Sequence, residues 1–267
     1  MLSPTFSHAL PPSPNPSPNP SVTIVGFGAF GAFIAGHLAP LLRVSVFDPA
    51  VPSVIKREGG ARLTAGGDMI LCCLTDLAQI DSEIIILAVP PQRMESVLRQ
   101  IAPHLRAGQI VIDVCSIKED PARLMEAILP PCVDIVGTHP MFGPQSARDG
   151  VAGHQIVLCP VRGDGWRRVA WFLRRCLKLR TVVTSPHDHD QQAAMTQGLT
   201  HLLARAFLEL GEAPKIRTRS YDLLSEALAM VACDAPEVFD AITRGNRHVF
   251  ALRERFTAAL NAPTRIG

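Results

Sequence analysis

The sequence predicts an α/β fold: a mainly parallel sheet with crossover helices, followed by an all-helical C-terminal region. Three observations carry this. Short β-rich apolar runs alternate with helical patterns as far as Thr184, the sequence form of repeated strand–helix–strand units. A glycine-rich hexad, Gly26-Phe27-Gly28-Ala29-Phe30-Gly31, follows the first run and opens a helical pattern. After Ser185-Pro186 no convincing strand pattern recurs.

The predicted strands are Val22–Val25, Val44–Phe47, Glu83–Val89, Gln109–Val114, Val133–Thr138, Gln155–Cys159 and Thr181–Thr184, with antiparallel pairing left open for some of the late ones. Adjacent Cys72-Cys73 lack metal-site spacing and read as strand or core residues. Trp166 through Arg175 reads as an amphipathic crossover helix with its basic residues outside. Beyond Pro186, helical patterns run over about 187–210, 221–232 and 235–260. The first carries Ala193, Met195, Leu199, Leu202, Leu203, Phe207 and Leu210 at roughly helical period. The last, with Val238, Phe239, Ile242, Val249, Phe250, Leu252 and Phe256, is apolar enough to need a partner surface. So thin a helical layer should pack on the sheet region or on a second subunit, and a homodimer is expected. The division is therefore a proline-rich tail over 1–20, expected to be extended and largely disordered, a sheet domain over 21–185, and a helical substrate and dimerisation domain over 186–267.

Composition narrows the function class. The chain has 267 residues, 47% of them hydrophobic, enough for a sizeable core. Its 26 basic and 24 acidic side chains give a net charge of +2, too balanced for nucleic acid or a membrane surface as main partner. No run approaches the ~20 apolar residues of a spanning helix. The N-terminal stretch has no apolar core of a signal peptide. Seven cysteines without regular spacing fit thiols in a reducing compartment. The expected setting is the cytoplasm.

The hexad has the G-x-G-x-x-G form, and Asp48 stands at the end of the next strand. In a dinucleotide site the first glycine permits the tight turn and the second lets backbone approach a pyrophosphate. The third lets helix and strand pack closely, and the helix N-terminus offers the phosphate a positive end. An acidic residue at Asp48 accepts hydrogen bonds from ribose hydroxyls and repels a 2′-phosphate, which favours NAD over NADP. The candidate cofactor-binding residues are Gly26, Phe27, Gly28, Ala29, Phe30, Gly31 and Asp48, with Val89 and Pro90 at another strand end as wall residues. A glycine-rich turn with no ligand is the alternative.

Downstream, Asp113-Val114-Cys115-Ser116-Ile117-Lys118 and Gly137-Thr138-His139-Pro140-Met141 each follow a strand run. Side chains just past the carboxyl ends of such strands line the ligand crevice. A nucleotide site followed by Ser116, Lys118 and His139 suggests redox chemistry on a small molecule.

These residues resemble the prephenate/arogenate dehydrogenase family of tyrosine biosynthesis, and the T-H-P-M-F-G-P wording is similar to that of plant arogenate dehydrogenases. The resemblance implies a Rossmann-type domain with a helical dimerisation domain and an oxidative decarboxylation. Hydride leaves the hydroxyl-bearing ring carbon for the nicotinamide, and carbon dioxide is lost as the ring becomes aromatic. It implies His139 as the base that takes the hydroxyl proton and Ser116 as the residue that orients this histidine and contacts the hydroxyl. His201 aligns with a substrate-binding histidine. Arg205, four residues on, lies on the same helical face and is suited to a substrate carboxylate. Gln197, one turn before His201, shares that pocket. Lys118 either neutralises a carboxylate or caps the next helix. Two positions depart from the family pattern. Gln145 stands where many relatives carry glutamate, and Ala229 aligns with a position tied to substrate choice, so the side chain recognised, pyruvyl or alanyl, stays open.

Other clusters read more simply. The run His187-Asp188-His189-Asp190 has metal-ligand composition, but at a helix start its acids complement the helix dipole, and no metal site is expected. Lys215, Arg217 and Arg219 form a basic loop. Two other functions remain: a different small Rossmann oxidoreductase of hydroxyacid dehydrogenase or imine reductase type, and a nucleotide-sensing regulator without catalysis.

Overall fold

In the computed structural model, residues 20–50, 61–62, 70–232 and 234–262 are described, with backbone alone at 61, 62 and 70. The expectation for the proline-rich stretch before Pro20 lies outside them. Among the described residues, nine strands form one sheet in the order β3-β4-β2-β1-β5-β6-β7-β8-β9. They are β1 (Ser21–Val25), β2 (Arg43–Phe47), β3 (Ala61–Arg62), β4 (Ile70–Cys73), β5 (Ile84–Leu87), β6 (Ile110–Asp113), β7 (Asp134–Pro140), β8 (Gln155–Arg162) and β9 (Arg180–Val183). Only the β3–β4 and β7–β8 pairs are antiparallel. All seven predicted strands are present, and Cys72-Cys73 form the end of β4. The two-residue β3 escaped the pattern because it is too short to show a period.

Helices cover both faces. The β5 and β6 segments Ile84–Leu87 and Ile110–Ile112 read as unbroken apolar runs because a parallel strand under two helix layers has no solvent side. Ile85, Leu87, Val111 and Ile135 face α2 (Pro91–Ile101) and α3 (Glu119–Ile128), meeting Met94, Leu98 and Met125, all at most 1% exposed. Burying each such side chain contributes roughly 1.5–3 kcal/mol. Ile110, Ile112, Val136 and Leu158 pack on the opposite face against α4 (Trp166–Arg175), the predicted crossover helix. Val22, Ile24, Val44 and Val46 pack with Ala35 and Leu38 of α1 (Ala29–Leu38).

The last described strand ends at Val183, and every described element after it is helical. The predicted 187–210 segment is not one α-helix. It is α5 (Pro186–Ala193), a π-helical turn over Ala194–Gly198, and α6 (Leu199–Glu209). The predicted 235–260 segment divides similarly into α8 (Pro236–Asp240), a π-turn over Ala241–Gly245, and α9 (His248–Asn261), with α7 (Arg219–Ala232) before it. The wider π-turns bring these segments together: a Cβ on Gly198 would meet Val249 at 2.7 Å. Arg217 of the basic loop pairs with Asp222 at 2.7 Å. Among the described residues no helix is long and apolar enough to cross a membrane.

Candidate active site

The hexad forms the turn between β1 and α1. Gly26 has φ +98°, and a Cβ there would meet the Ala88 carbonyl oxygen at 2.4 Å. Both facts require glycine. A Cβ on Gly31 would meet the Gly26 carbonyl oxygen at 2.1 Å, so the third glycine is what lets α1 start against the turn. A Cβ on Gly28 would meet nothing within 4 Å, which leaves open space in front of this backbone. No side chain caps α1, and its first turn carries no acid, so the first amides remain available to an anion. Asp48 accepts from the Phe27 N–H at 2.6 Å and the Ala50 N–H at 2.8 Å. The carboxylate therefore sits beside the turn, with further lone pairs for a hydroxyl. Val89 abuts Gly26, and Pro90 precedes α2.

Past β6, the chain places Lys118 in the core. Its ammonium donates to Asp113 and, at 2.7 Å, to the Thr138 carbonyl, with both members of the ion pair fully buried. Thr138 Oγ1 in turn donates to the Asp113 carbonyl at 2.6 Å. This corrects the reading of Lys118 as a substrate ligand. The carboxylate it neutralises belongs to the protein, and the pair fixes the end of β7 where His139 follows. Asp113 Oδ1 is a buried oxygen without a hydrogen-bond partner among the described residues.

His139 is 3% exposed. Burial, then His189, then the Lys118 charge hold its ring well below its ordinary pKa. Its Nδ1 lies 2.9 Å from His189 Nε2. Ser116 is half-buried, and no hydrogen bond joins it to His139 among the described residues, so the group that meets the ring's Nδ1 is His189. His189 and Asp190 are the residues the sequence reading misplaced. Asp188 does sit in the first turn, bonded to the Ser185 cap. His189 and Asp190 instead turn inward, 4% and 2% exposed. Asp190 Oδ1 lies 2.7 Å from His189 Nδ1 and accepts the Lys118 N–H at 2.7 Å, while Oδ2 accepts the Glu119 N–H at 2.9 Å. A helix of the C-terminal region thus caps α3 of the sheet region. The available signal was helical spacing: position 189 lies one turn before Ala193, which the apolar pattern already included.

Nearby, Glu119 meets Arg247 at 2.6 Å, His187 at 2.8 Å and His248 at 3.4 Å. These side chains form an ion-pair cluster in which the guanidinium occupies the carboxylate.

The remaining predicted residues lie elsewhere. His201 is buried, with Nδ1 at 2.8 Å from the Gln197 carbonyl and Nε2 at 3.1 Å from Asp234. Arg205, exposed, sits 5.8 Å over the Phe239 ring beside a pocket of about 260 Å³. Gln197, His201 and Arg205 are thus together, and no hydrogen bond, ion pair or ring contact among the described residues joins them to His139. Gln145 is exposed in the β7–β8 loop. A cavity of about 1030 Å³ forms an apolar trough between α1 and α4, lined by Phe33, Ile86, Ile112 and Phe172. It holds neither His139 nor the glycine turn.

Comparison with known proteins gives these features a context. Residues 53–185 match the family described as prephenate dehydrogenase, nucleotide-binding domain. A probable arogenate/prephenate dehydrogenase of Methanocaldococcus jannaschii is 30% identical over 190 residues, covering 65% of this chain and 41% of that protein. Arogenate dehydrogenase 1, chloroplastic, of Arabidopsis thaliana is 31% identical over 281 residues, covering 98% of this chain and 42% of that protein. The chain therefore spans less than half the length of either relative. The crystal structure of prephenate dehydrogenase from Aquifex aeolicus, in complex with hydroxyphenyl propionate and NAD+, superposes with a TM-score of 0.72. That match is 20% identical and covers 91% of this chain and 88% of the other.

Proposed function

We infer that this chain, which belongs to the prephenate/arogenate dehydrogenase family, carries out the NAD-dependent oxidative decarboxylation of prephenate, arogenate or both. The products are 4-hydroxyphenylpyruvate or tyrosine. One observation carries the reading most: a neutral, buried histidine at the carboxyl end of β7, its Nδ1 engaged, in the sheet whose β1–α1 turn has the form of a phosphate cradle.

The residues present fit a dinucleotide. Gly28 leaves open the space a Cβ would fill, the α1 amides are uncapped, and Asp48 offers acceptors at the ribose position. Its negative charge disfavours a 2′-phosphate, so NAD is the cofactor proposed. When bound, the nicotinamide supplies the hydride acceptor. Aromatisation drives the reaction, so the protein's share is to hold the ring in place and to take one proton. His139 Nε2 takes the hydroxyl proton as the carbon–hydride bond breaks. Burial keeps the imidazole neutral, and therefore basic, at working pH. Ser116 contacts the substrate hydroxyl from the β6 end. In the helical region, exposed Arg205 receives a carboxylate, with His201 and Gln197 beside it. Exposed Gln145 and Ala229 add no charge, so neither side chain selects pyruvyl over alanyl by an ion pair. The C-terminal helices form the interface of a homodimer.

The test is turnover with stoichiometric release of carbon dioxide. His139→Asn should lower kcat by about 10²–10⁴-fold while cofactor affinity stays within twofold. Full activity in that variant removes His139 from the role. Cofactor reduction without gas release points to another small oxidoreductase chemistry.

A further inference from the structure

Asp190 imposes a direction on the side chains behind His139. Backbone amides can only donate, so the Lys118 and Glu119 N–H groups, at 2.7 and 2.9 Å, hold both carboxylate oxygens as acceptors. Burial pushes the Asp190 carboxyl up, but the hydrogen bonds from His189 and these two amides outweigh it and keep it below its ordinary value. An ionised Asp190 makes His189 Nδ1 the donor of the 2.7 Å bond between them. With His189 neutral, its Nε2 is a lone pair, and one arrangement satisfies the 2.9 Å contact to His139: its Nδ1 carries the proton and donates. Each tautomer follows from the one before, and the free lone pair arrives at His139 Nε2, which makes no hydrogen bond among the described residues.

We propose that His189 and Asp190 form a proton relay behind His139, so that the positive charge created when the hydroxyl proton is taken rests during turnover on His189 rather than on the catalytic ring. The relay rests on the reading of His139 as the base. The carbon–hydrogen bond breaks with its electron pair leaving for the nicotinamide, and the hydroxyl proton goes to His139 Nε2. The His139 Nδ1 proton moves to His189 Nε2, giving an imidazolium against the Asp190 carboxylate. The carbon–carboxylate bond then breaks, its electron pair enters the ring, and carbon dioxide departs. The ring oxygen takes its proton back through the same chain, and both histidines return to their starting tautomers. No proton is released overall, which suits a relay whose two histidines are at most 4% exposed.

The physical need lies at His139 itself. A cation there would be buried beside the Lys118 ammonium, both unfavourable. One bond further on, the charge faces a carboxylate already stabilised by two amides. Among the described residues, no hydrogen bond joins either ring to the other titratable groups around this point, Lys118 and Asp113 in their ion pair and the Cys115 and Cys159 thiols. Burial, ahead of the Asp113 charge, pushes Cys115 up, and burial lifts Cys159 to about 12. His189 thus acts through His139 as a positioning and relay residue, as a carboxylate does when it fixes an imidazole tautomer.

The experiment compares full-length wild type with His189→Gln and Asp190→Asn. The readouts are kcat, KM, the pH–rate profile, and the dependence of rate on the deuterium fraction of the solvent. Gln keeps a hydrogen bond to His139 and cannot pass a proton; Asn keeps an acceptor for the α3 amides. Wild type should show a bowed deuterium dependence, as two protons move together, and His189→Gln a straight one. In that variant kcat should fall about ten- to hundredfold with KM nearly unchanged. The acid limb should shift to lower pH, because His139 alone is the weaker base. An unchanged profile and an unchanged bow in folded variants overturn the relay. Imidazole nitrogen NMR of the wild type gives a readout independent of turnover. Both rings should be Nδ1-protonated, and an Nε2-protonated His189 overturns the relay. Absence of turnover in wild type sinks the proposed function instead, and the NMR result then decides the wire on its own.

Discussion

The sheet region and the helical region obey different rules of burial. In the sheet region large side chains are sealed on both faces: Ile24, Ile85, Leu87, Met94, Leu98 and Leu158 are fully buried, in three packed clusters. In the helical region the one described cluster is Ala194, Val249 and Leu252, with Leu199 and Leu202 alongside. Large apolar side chains there stand in solvent, among them Ile216 at 92%, Leu210 at 82% and Met230 at 70%. The first region closes its core except at the apolar trough between α1 and α4; the second has the surface of an element that needs another. The two meet where Asp190 of α5 caps α3 and where Asn246 donates to the Asp190 carbonyl at 2.7 Å. The proposed base lies at this seam, held from the sheet side by Lys118 and Asp113 and from the helical side by His189.

The largest way to break the contrast is to damage the sealed side. Lys118→Met leaves the Asp113 carboxylate buried without its counter-charge and should cost about 3–5 kcal/mol of stability, read by chemical denaturation. Adding Asp113→Leu should recover most of that loss, because removing both charges costs far less than removing one. A double variant no more stable than the single one would contradict the buried-pair account.

A smaller effect comes from the open side. The dimer reading predicts a homodimer at micromolar concentration by light scattering. Met230→Glu with Phe250→Glu should weaken it by about 1–3 kcal/mol per position without shifting the unfolding of the sheet region. A wild-type monomer at that concentration removes the dimer.

The smallest effect is a pH slope confined to the seam. Unfolded histidine takes up a proton below about 6.5, and folded His139, held well below that value, does not. The unfolded state therefore binds more protons there, and stability falls as pH drops through 6.5 towards 5.5. The size is up to about 1.4 kcal/mol per pH unit. Asp190 acts only below its own ordinary value of 3.8, outside this window. His139→Asn should flatten the slope between pH 6.5 and 5.5 relative to wild type, and an equal slope in both proteins would contradict a buried neutral ring.

Much of the sheet region was legible because its physics is local. Apolar runs, crossover helices and the glycine turn each carry a period or a spacing, and all seven expected strands form. The Gly26 and Gly31 arguments could be made from the hexad and agree with the close approaches found. Lys118 was not legible: a lysine after a strand reads as exposed, and only the neighbouring Asp113 and Thr138 carbonyl make its burial tolerable. His189 and Asp190 were hidden for a related reason. Acids in a first turn have a sufficient local explanation in the helix dipole, and their second task exists only once α5 lies against β7 and α3. The π-turns at 194–198 and 241–245 leave the apolar period almost intact, so two broken helices read as continuous ones.

The central claim is the reaction, and a single assay addresses it: the near-ultraviolet absorbance of reduced nicotinamide, with prephenate and arogenate each crossed against NAD and NADP. The account predicts reduction of NAD with at least one of the two substrates, and weak or no reduction of NADP. No reduction with any of the four pairs, by a protein that still binds NAD in calorimetry, would contradict it.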